Sequence, residues 1–177
     1  MLGQVSTDWQ IVGTGDLNGD GKADILWRRT DGLFGAWLMN GGQLLAAPII
    51  TTVPTDWSVV GTGDFNGDGR ADILWRNANG DVAIWLMNGA TILAGAVIAN
   101  VDPAWQTVAT GDLDGDGKSD IIWRKTNGEL ATWLMNGFTL VGAPYYGTVS
   151  TDWVIAGSGD FDGDGDRKST RLNSSHT

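Results

Sequence analysis

One pattern recurs along the chain every 48 residues, and this strict period limits the possible folds more than any other feature. Each copy opens on a tryptophan, and the second copy begins WSVVGTGDFNGDGRADILWR. A second landmark, WLMNG, follows in each of the three complete copies, and all ten tryptophans occupy repeat positions. Units that stack on their neighbours produce such a period. The copies begin near Trp9, Trp57, Trp105 and Trp153.

Each copy has the pattern of four short antiparallel strands. Runs rich in β-branched and aromatic residues alternate with turns, and pairs such as Asn88-Gly89 favour tight hairpins because both residues tolerate positive φ. In the second copy the predicted strands span residues 57–62, 73–76, 82–87 and 92–98. We therefore expect an all-β fold, a partial β-propeller of four-stranded antiparallel blades. About three and a half blades are too few for the roughly four to eight of a closed ring, so further blades are expected to be missing from this chain.

A loop crowded with carboxylates joins the first two predicted strands of each copy. It follows the pattern D-x-[N/D]-x-D-G-x-x-D, in which glycine at position 6 permits a sharp turn. Such crowding is repulsive without a counter-ion, and calcium suits ligands of this kind. Positions 1, 3, 5 and 9 offer side-chain oxygens, and position 7 offers its backbone carbonyl. The predicted ligands are Asp16, Asn18, Asp20, Lys22 and Asp24; Asp64, Asn66, Asp68, Arg70 and Asp72; Asp112, Asp114, Asp116, Lys118 and Asp120; and Asp160, Asp162 and Asp164 in an incomplete fourth loop.

A polar turn without metal, a magnesium site and an EF-hand each fit these loops less well than a calcium site in a β-hairpin connection. A metal-free turn does not require four ligand positions to recur in three copies, and magnesium prefers fewer protein ligands. An EF-hand needs flanking helices and a glutamate at loop position 12, where Trp27, Trp75 and Trp123 stand. In the fourth loop Lys168 replaces the aspartate of position 9. We therefore expect about three bound calcium ions.

The stretch GTGDFNGDGRADILW with WLMNG downstream resembles the FG-GAP/VCBS class of repeat, which is similar to the calcium-binding blades of integrin α-subunit propellers. The likeness extends from residue 9 to about residue 165, and the calcium-loop half of the signature carries it. The resemblance implies calcium-binding hairpin loops on one face of a seven-bladed ring. It also implies a secreted or cell-surface protein, and similar repeats occur in some lectins and beside catalytic domains.

The amino-acid composition limits the classes of function that the chain can have. The chain has no cysteine and one histidine, so a Ser–His or Cys–His catalytic pair is not expected within the repeats. A net charge of −10 disfavours nucleic acid, and no apolar run is long enough for membrane insertion. We expect a non-catalytic, calcium-binding extracellular or cell-surface module for adhesion or ligand binding, with a carbohydrate or a surface protein as its partner. The alternative is an accessory or catalytic propeller domain of a secreted polysaccharide-active enzyme.

Two further sets of residues recur once per copy. The tryptophans are expected to pack between blades, and the alternative is that their faces stack against sugar rings. Arg28, Arg76 and Arg124 follow the tryptophan of the second predicted strand. They are expected to pair with nearby loop carboxylates or to face solvent.

The chain is expected to consist of a repeat domain, residues 1–165, and a tail, residues 166–177. The tail breaks the repeat, has no apolar periodicity and contains the single histidine. Because DRKSTRLNSSH resembles a translated sequencing adapter, we expect a non-native segment, and the alternative is a natural disordered tail.

Overall fold

Antiparallel β-sheets make up the part of the chain that the computed structural model describes, residues 6–158. Each of the three sheets comes from one copy of the repeat, and no helix occurs in these residues, which confirms the predicted all-β fold of propeller blades. Accordingly, no helix within residues 6–158 is long and apolar enough to cross a membrane. The first two blades form one compact unit, and the third blade forms another together with Phe65–Gly67.

Fourteen strands follow one another within the described residues. The first blade contains β1 (Trp9–Gly15), β2 (Asp24–Arg29), β3 (Leu33–Asn40), β4 (Gln43–Ala46) and β5 (Ile49–Thr52). The second blade contains β6 (Trp57–Gly63), β7 (Asp72–Asn77), β8 (Asp81–Asn88) and β9 (Thr91–Asn100). The third blade contains β10 (Trp105–Gly111), β11 (Asp120–Lys125), β12 (Glu129–Asn136), β13 (Thr139–Gly142) and β14 (Tyr145–Thr148).

The first four strands of each blade pair in chain order, so each blade is a β-meander, and β5 and β14 pair with β3 and β12. Gly89 adopts φ of +59° in the predicted Asn88-Gly89 hairpin, and the equivalent glycines of the other two blades do the same. Gly32, between β2 and β3, has φ of +93°, and a Cβ atom there would lie 2.2 Å from the carbonyl oxygen of Val53. Only glycine fits this turn.

The outermost strand differs between blades because of proline. In the second blade β9 is continuous, whereas the same stretch is divided into β4 and β5 in the first blade and into β13 and β14 in the third. The breaks fall at Pro48 and Pro144, where the second blade has Ala96. Proline has no N–H to donate, although the Pro48 carbonyl still accepts a hydrogen bond from Ala36 N–H at 3.0 Å. The prediction of four strands is therefore right for the second blade and incomplete for the other two.

Aromatic side chains fill the core of the two-blade unit. The ring of Phe34 lies edge-on to Trp75 with the centroids 4.9 Å apart, and Trp75 lies 4.8 Å from Trp85. The side chain of Trp75 is 1% exposed, and that of Trp123 in the third blade is 2% exposed. The expected packing between blades is confirmed for Trp75, whose large ring contacts Phe34 of the first blade.

The arginine that recurs after the second-strand tryptophan binds backbone carbonyls, so the prediction of loop-carboxylate partners is wrong for Arg28 and Arg124. Arg28 donates from Nη2 to the carbonyl oxygens of Val53 (3.1 Å) and Pro54 (2.7 Å), and from Nη1 to that of Trp57. Burial lowers the pKa of Arg28 because it desolvates the charge, and the nearby Asp56 opposes this effect. Equivalent bonds join Arg76 to Val101, and Arg124 to Val149, Ser150 and Trp153. Each guanidinium ties the segment that leaves its blade to that blade's second strand.

Replacing Arg28 by methionine should destabilise the protein by about 2–3 kcal/mol, because it leaves backbone carbonyls without their charged donor. Urea unfolding measures this loss. The matched control is Arg29→Met, since Arg29 lies on the surface and pairs there with Asp31, where ion pairs contribute little. Equal losses for the two variants would contradict the assigned role of Arg28.

Candidate metal centre

The aspartate at loop position 1 organises the loop through backbone hydrogen bonds. Asp16 accepts from the N–H groups of Gly19 (2.8 Å) and Asp20 (3.1 Å) at Oδ1, and from that of Gly21 (2.7 Å) at Oδ2. The same aspartate of the other loops has matching partners: Asp64 accepts from Asp68 and Gly69, and Asp112 accepts from Gly115 and Gly117. The chain therefore wraps around this carboxylate in all three loops.

Two glycines in each loop make this turn possible. Gly19 and Gly21, at positions 4 and 6, have φ of +76° and +81°, in the region that favours glycine. The corresponding glycines of the other two loops have values between +77° and +83°. The sequence prediction covers position 6 only. The pair Asn18-Gly19, a common turn signal, could have revealed the role of position 4.

The third loop brings three of its predicted ligands together. Asp112, Asp114 and Asp116 each offer a carboxylate oxygen, and these oxygens lie within 4.8 Å of one another. Calcium binds oxygen at about 2.3–2.6 Å, so oxygens up to about 5 Å apart can share one ion. Hard anionic donors at this spacing fit calcium. The first two loops have Asn18 and Asn66 at the position of Asp114 and thus one carboxylate fewer.

The side chain at position 7 pairs with the carboxylate at position 5. Lys118 Nζ lies 2.9 Å from Asp116 Oδ2. This hydrogen bond raises the pKa of Lys118, and the charges of the other loop aspartates raise it further. The corresponding distances are 3.4 Å between Arg70 and Asp68 and 3.8 Å between Lys22 and Asp20. These pairs reduce the repulsion within the loops, while the backbone-carbonyl ligand expected at position 7 stays a prediction.

The aspartate at position 9 is buried and bound to the backbone. Asp24 is fully buried, and it accepts from Leu17 N–H at Oδ2 (3.0 Å) and from Met39 N–H at Oδ1 (2.8 Å). Asp72 is buried too and accepts from Met87 N–H at 2.9 Å. The carboxylate thus connects the loop to the third strand of its own blade.

In the third blade Asp120 accepts the equivalent hydrogen bonds from Leu113 N–H (2.8 Å) and Met135 N–H (2.9 Å). Its carboxylate is not one of the three closely spaced groups, which belong to Asp112, Asp114 and Asp116. A carboxylate oxygen has more than one lone pair, so these bonds and ion binding are compatible. The predicted ligand role of position 9 stays a prediction.

Burial raises the pKa of two position-9 carboxyls, those of Asp24 and Asp120. Desolvation raises the pKa of Asp120 to about 6, against the opposing effect of the two backbone N–H bonds, and the charges of Asp114 and Asp112 raise it further. Desolvation also raises the pKa of Asp24, with the same opposing bonds and smaller contributions from Asp20 and Asp16. Position 9 therefore combines a desolvated carboxyl with nearby negative charge.

The residue at position 2 leaves the loop and enters an apolar core. Leu17 is fully buried and belongs to the same core as Trp75 and Met87 of the second blade. Its carbonyl accepts from Gly89 N–H at 2.6 Å. The sequence reasoning missed this role, although an apolar residue amid acidic ones, Leu17 here and Phe65 and Leu113 in the other loops, was an available signal.

The predicted ligands of the fourth loop, Asp160, Asp162 and Asp164, lie outside the described residues, as does the tail at 166–177.

Comparison with known families identifies the repeat. Three overlapping stretches of the sequence match the FG-GAP-like repeat family, at residues 16–75, 64–123 and 112–167. Each match starts at the position-1 aspartate of a loop. These stretches cover most of the chain, so the protein belongs to the FG-GAP-like repeat family. No curated protein matches the sequence significantly.

The pH dependence of stability should reveal the buried carboxyl of Asp120. Its pKa is about 6 in the folded protein, above the ordinary 3.8, so the native state binds this proton more tightly than the unfolded chain. The resulting stabilisation is complete below about pH 4 and is lost as the pH rises through about 6. In EDTA, the stability of the wild type relative to Asp120→Asn should fall by up to about 3 kcal/mol between about pH 4 and pH 7.

Urea unfolding at several pH values tests this prediction, with Asp31→Asn as the control. A hydrogen bond from Arg29 lowers the pKa of Asp31 to about 2, so this carboxyl loses its stabilising contribution only as the pH falls below about 4. Its variant should show a constant difference from the wild type across the tested range. A constant difference for Asp120→Asn as well would show that its carboxyl does not titrate there.

Proposed function

We propose that this chain is a calcium-binding β-propeller module that acts outside the cell as a non-catalytic binding scaffold. The observation that carries the proposal is the group of carboxylate oxygens from Asp112, Asp114 and Asp116, which lie within 4.8 Å of one another. The recurrence of the same acidic pattern in every blade supports it. Membership of the FG-GAP-like repeat family supports it as well, because such repeats often bind calcium.

The carboxylates of Asp112, Asp114 and Asp116 would hold the ion in the third loop. The backbone carbonyl of Lys118 and the carboxylate of Asp120 are the remaining predicted ligands. Calcium would supply two positive charges amid these oxygens and offset the repulsion among them. The first two loops would hold the ion with an asparagine oxygen in place of one carboxylate.

Ion binding in the first loop would also stabilise the packing of the first blade on the second. The carbonyl of Asp16 accepts from Ala71 N–H at 2.6 Å, and the carbonyl of Leu17 accepts from Gly89 N–H at 2.6 Å. Both donors belong to the second blade. A loop held closed by an ion keeps these two carbonyls in place, so part of the binding energy becomes folding stability.

The expected environment and partners follow from this chemistry. Extracellular calcium modules bind with dissociation constants of about 10⁻⁴–10⁻³ M, which suits the calcium concentration outside cells. FG-GAP repeats are typical of extracellular proteins, in agreement with this placement. The partner would be a carbohydrate or a surface protein. The absence of cysteine from the chain and of histidine from its repeats favours binding over nucleophilic catalysis.

Calorimetric titration should detect about three calcium ions per chain, with the third loop tightest because it has four aspartates. Asp114→Asn gives that loop the composition of the first two and should weaken its affinity roughly tenfold, to about their level. The reciprocal variant, Asn66→Asp, should strengthen the second site by a similar factor. If charge at position 3 has no effect in either direction, this residue is not a ligand.

Thermal melts in calcium and in EDTA provide an independent measurement. At a calcium concentration of about 100 times the dissociation constant, each site should add about 2.7 kcal/mol to the free energy of unfolding. The difference between the two melts should shrink in the Asp114→Asn variant. Superimposable melts of the wild type would rule out the calcium proposal.

A further inference from the structure

The pentapeptide WLMNG occurs at the end of the third strand of each blade and begins the hairpin turn after it. Its Asn-Gly pair is Asn40-Gly41 in the first blade, Asn88-Gly89 in the second and Asn136-Gly137 in the third. All three asparagines are exposed, and all three glycines have φ of +59°. Because sequence and glycine conformation are matched, a chemical difference among these pairs must come from their surroundings.

The surroundings differ at the glycine N–H. Gly89 N–H donates to the Leu17 carbonyl at 2.6 Å, and Gly137 N–H donates to the Phe65 carbonyl at 2.7 Å. Both acceptors occupy position 2 of the acidic loop one copy earlier. Gly41 N–H has no acceptor among residues 6–158. Gly41 is exposed, whereas Gly89 is buried and Gly137 is half-buried.

Asn-Gly pairs elsewhere in the described residues resemble the two that are held. In three of them the glycine N–H has an acceptor in its own loop or turn: Gly19 donates to Asp16 Oδ1 (2.8 Å), Gly80 to the Asn77 carbonyl (3.1 Å) and Gly128 to the Lys125 carbonyl (2.9 Å). The open N–H of Gly41 therefore sets the first-blade hairpin apart from these turns as well.

An asparagine followed by glycine can react with its own backbone, because glycine has no Cβ to shield its nitrogen. The glycine nitrogen loses its proton to hydroxide and attacks Cγ of the asparagine side chain, which forms a new C–N bond and a cyclic imide. The C–N bond to the side-chain NH₂ group breaks, and ammonia leaves. Water then opens the imide at either carbonyl and leaves an aspartyl or an isoaspartyl residue.

A hydrogen bond at the glycine N–H opposes this reaction. The nitrogen must lose its proton and turn toward the side chain, so an N–H that donates to a carbonyl must first break that bond. In the second blade the break would leave the carbonyl of the fully buried Leu17 without this donor. Gly41 has no such bond to break, and the reaction there requires only a local opening at the end of one hairpin.

We propose that Asn40 is a site of spontaneous deamidation in the folded protein, and that Asn88 and Asn136 are protected by the loops that bind the glycine after them. The only co-reactant is water. The product carries a new negative charge at the turn between β3 and β4. An isoaspartyl product also adds one carbon to the main chain beside the paired residues Asn40 and Gln43, which weakens this hairpin.

The folded wild-type chain is incubated with calcium at mildly alkaline pH in water enriched in heavy oxygen, and peptide mapping by mass spectrometry measures the conversion of each asparagine. The label enters when the imide opens, so it separates this reaction from deamidation during digestion. Asn40 should convert at least about tenfold faster than Asn88 and Asn136, because their glycines must first break a hydrogen bond. In urea, where these bonds are lost, the three rates should become similar.

Matched variants test the assignment on the intact protein. Asn40→Gln should lower the early mass gain of the chain, because a glutamine side chain would have to form a larger ring, which closes more slowly. Asn88→Gln, at the same repeat position, should leave the early mass gain unchanged. Hydrogen exchange gives an independent readout: the Gly41 amide should exchange rapidly, whereas the amides of Gly89 and Gly137 should be protected.

Equal rates at the three sites in the folded protein would overturn the inference, as would faster conversion at Asn88 or Asn136. Protection of the Gly41 amide against exchange would overturn it as well, because this N–H would then be held in solution. None of these results bears on calcium binding, which the calorimetric titration tests separately.

Discussion

Each blade depends on one buried carboxylate at the ninth position of its acidic loop. In the first blade Asp24 accepts one N–H from Leu17, inside the loop, and one from Met39 on the third strand. A carboxylate removed from water is stable only when hydrogen bonds replace its hydration, so the loop and the strand must both be in place around it. This requirement fixes where the loop begins and directs the side chain of position 2 into the apolar core.

Different positions of the same loop therefore serve two purposes. Position 9 is buried in all three loops and position 2 in the first two, whereas the side chains of positions 3 and 5 lie nearer the surface, where their oxygens would be available to an ion. The raised pKa of Asp120 records the cost of this arrangement, since desolvation and the neighbouring loop aspartates both disfavour its charged form. A divalent ion at the outer end would reduce the electrostatic part of that cost, which physically links metal binding to the stability of the blade.

The 48-residue period and the Asn-Gly turns were sufficient to predict the blades, because strand spacing and hairpin geometry are local properties. Proline at residues 48 and 144 was visible but was not used to divide the outer strand. The partners of Arg28 could not be read from the sequence, because backbone carbonyls 25 to 29 residues away have no signature of their own. Likewise, the sequence does not distinguish an aspartate at position 9 that binds an ion from one that accepts hydrogen bonds from two backbone N–H groups.

The insertion of Leu17 into the core of the two-blade unit makes these neighbouring repeats thermodynamically dependent on each other. If every blade enclosed only its own core, substitutions in adjacent blades would have additive effects. Here Leu17, Trp75 and Met87 share one core, so a change in the second blade also alters the environment of the acidic loop before it. Cooperative unfolding of such a unit depends on the contacts between blades as much as on the sheets themselves. These contacts connect the acidic loop of one blade to the core of the blade that follows.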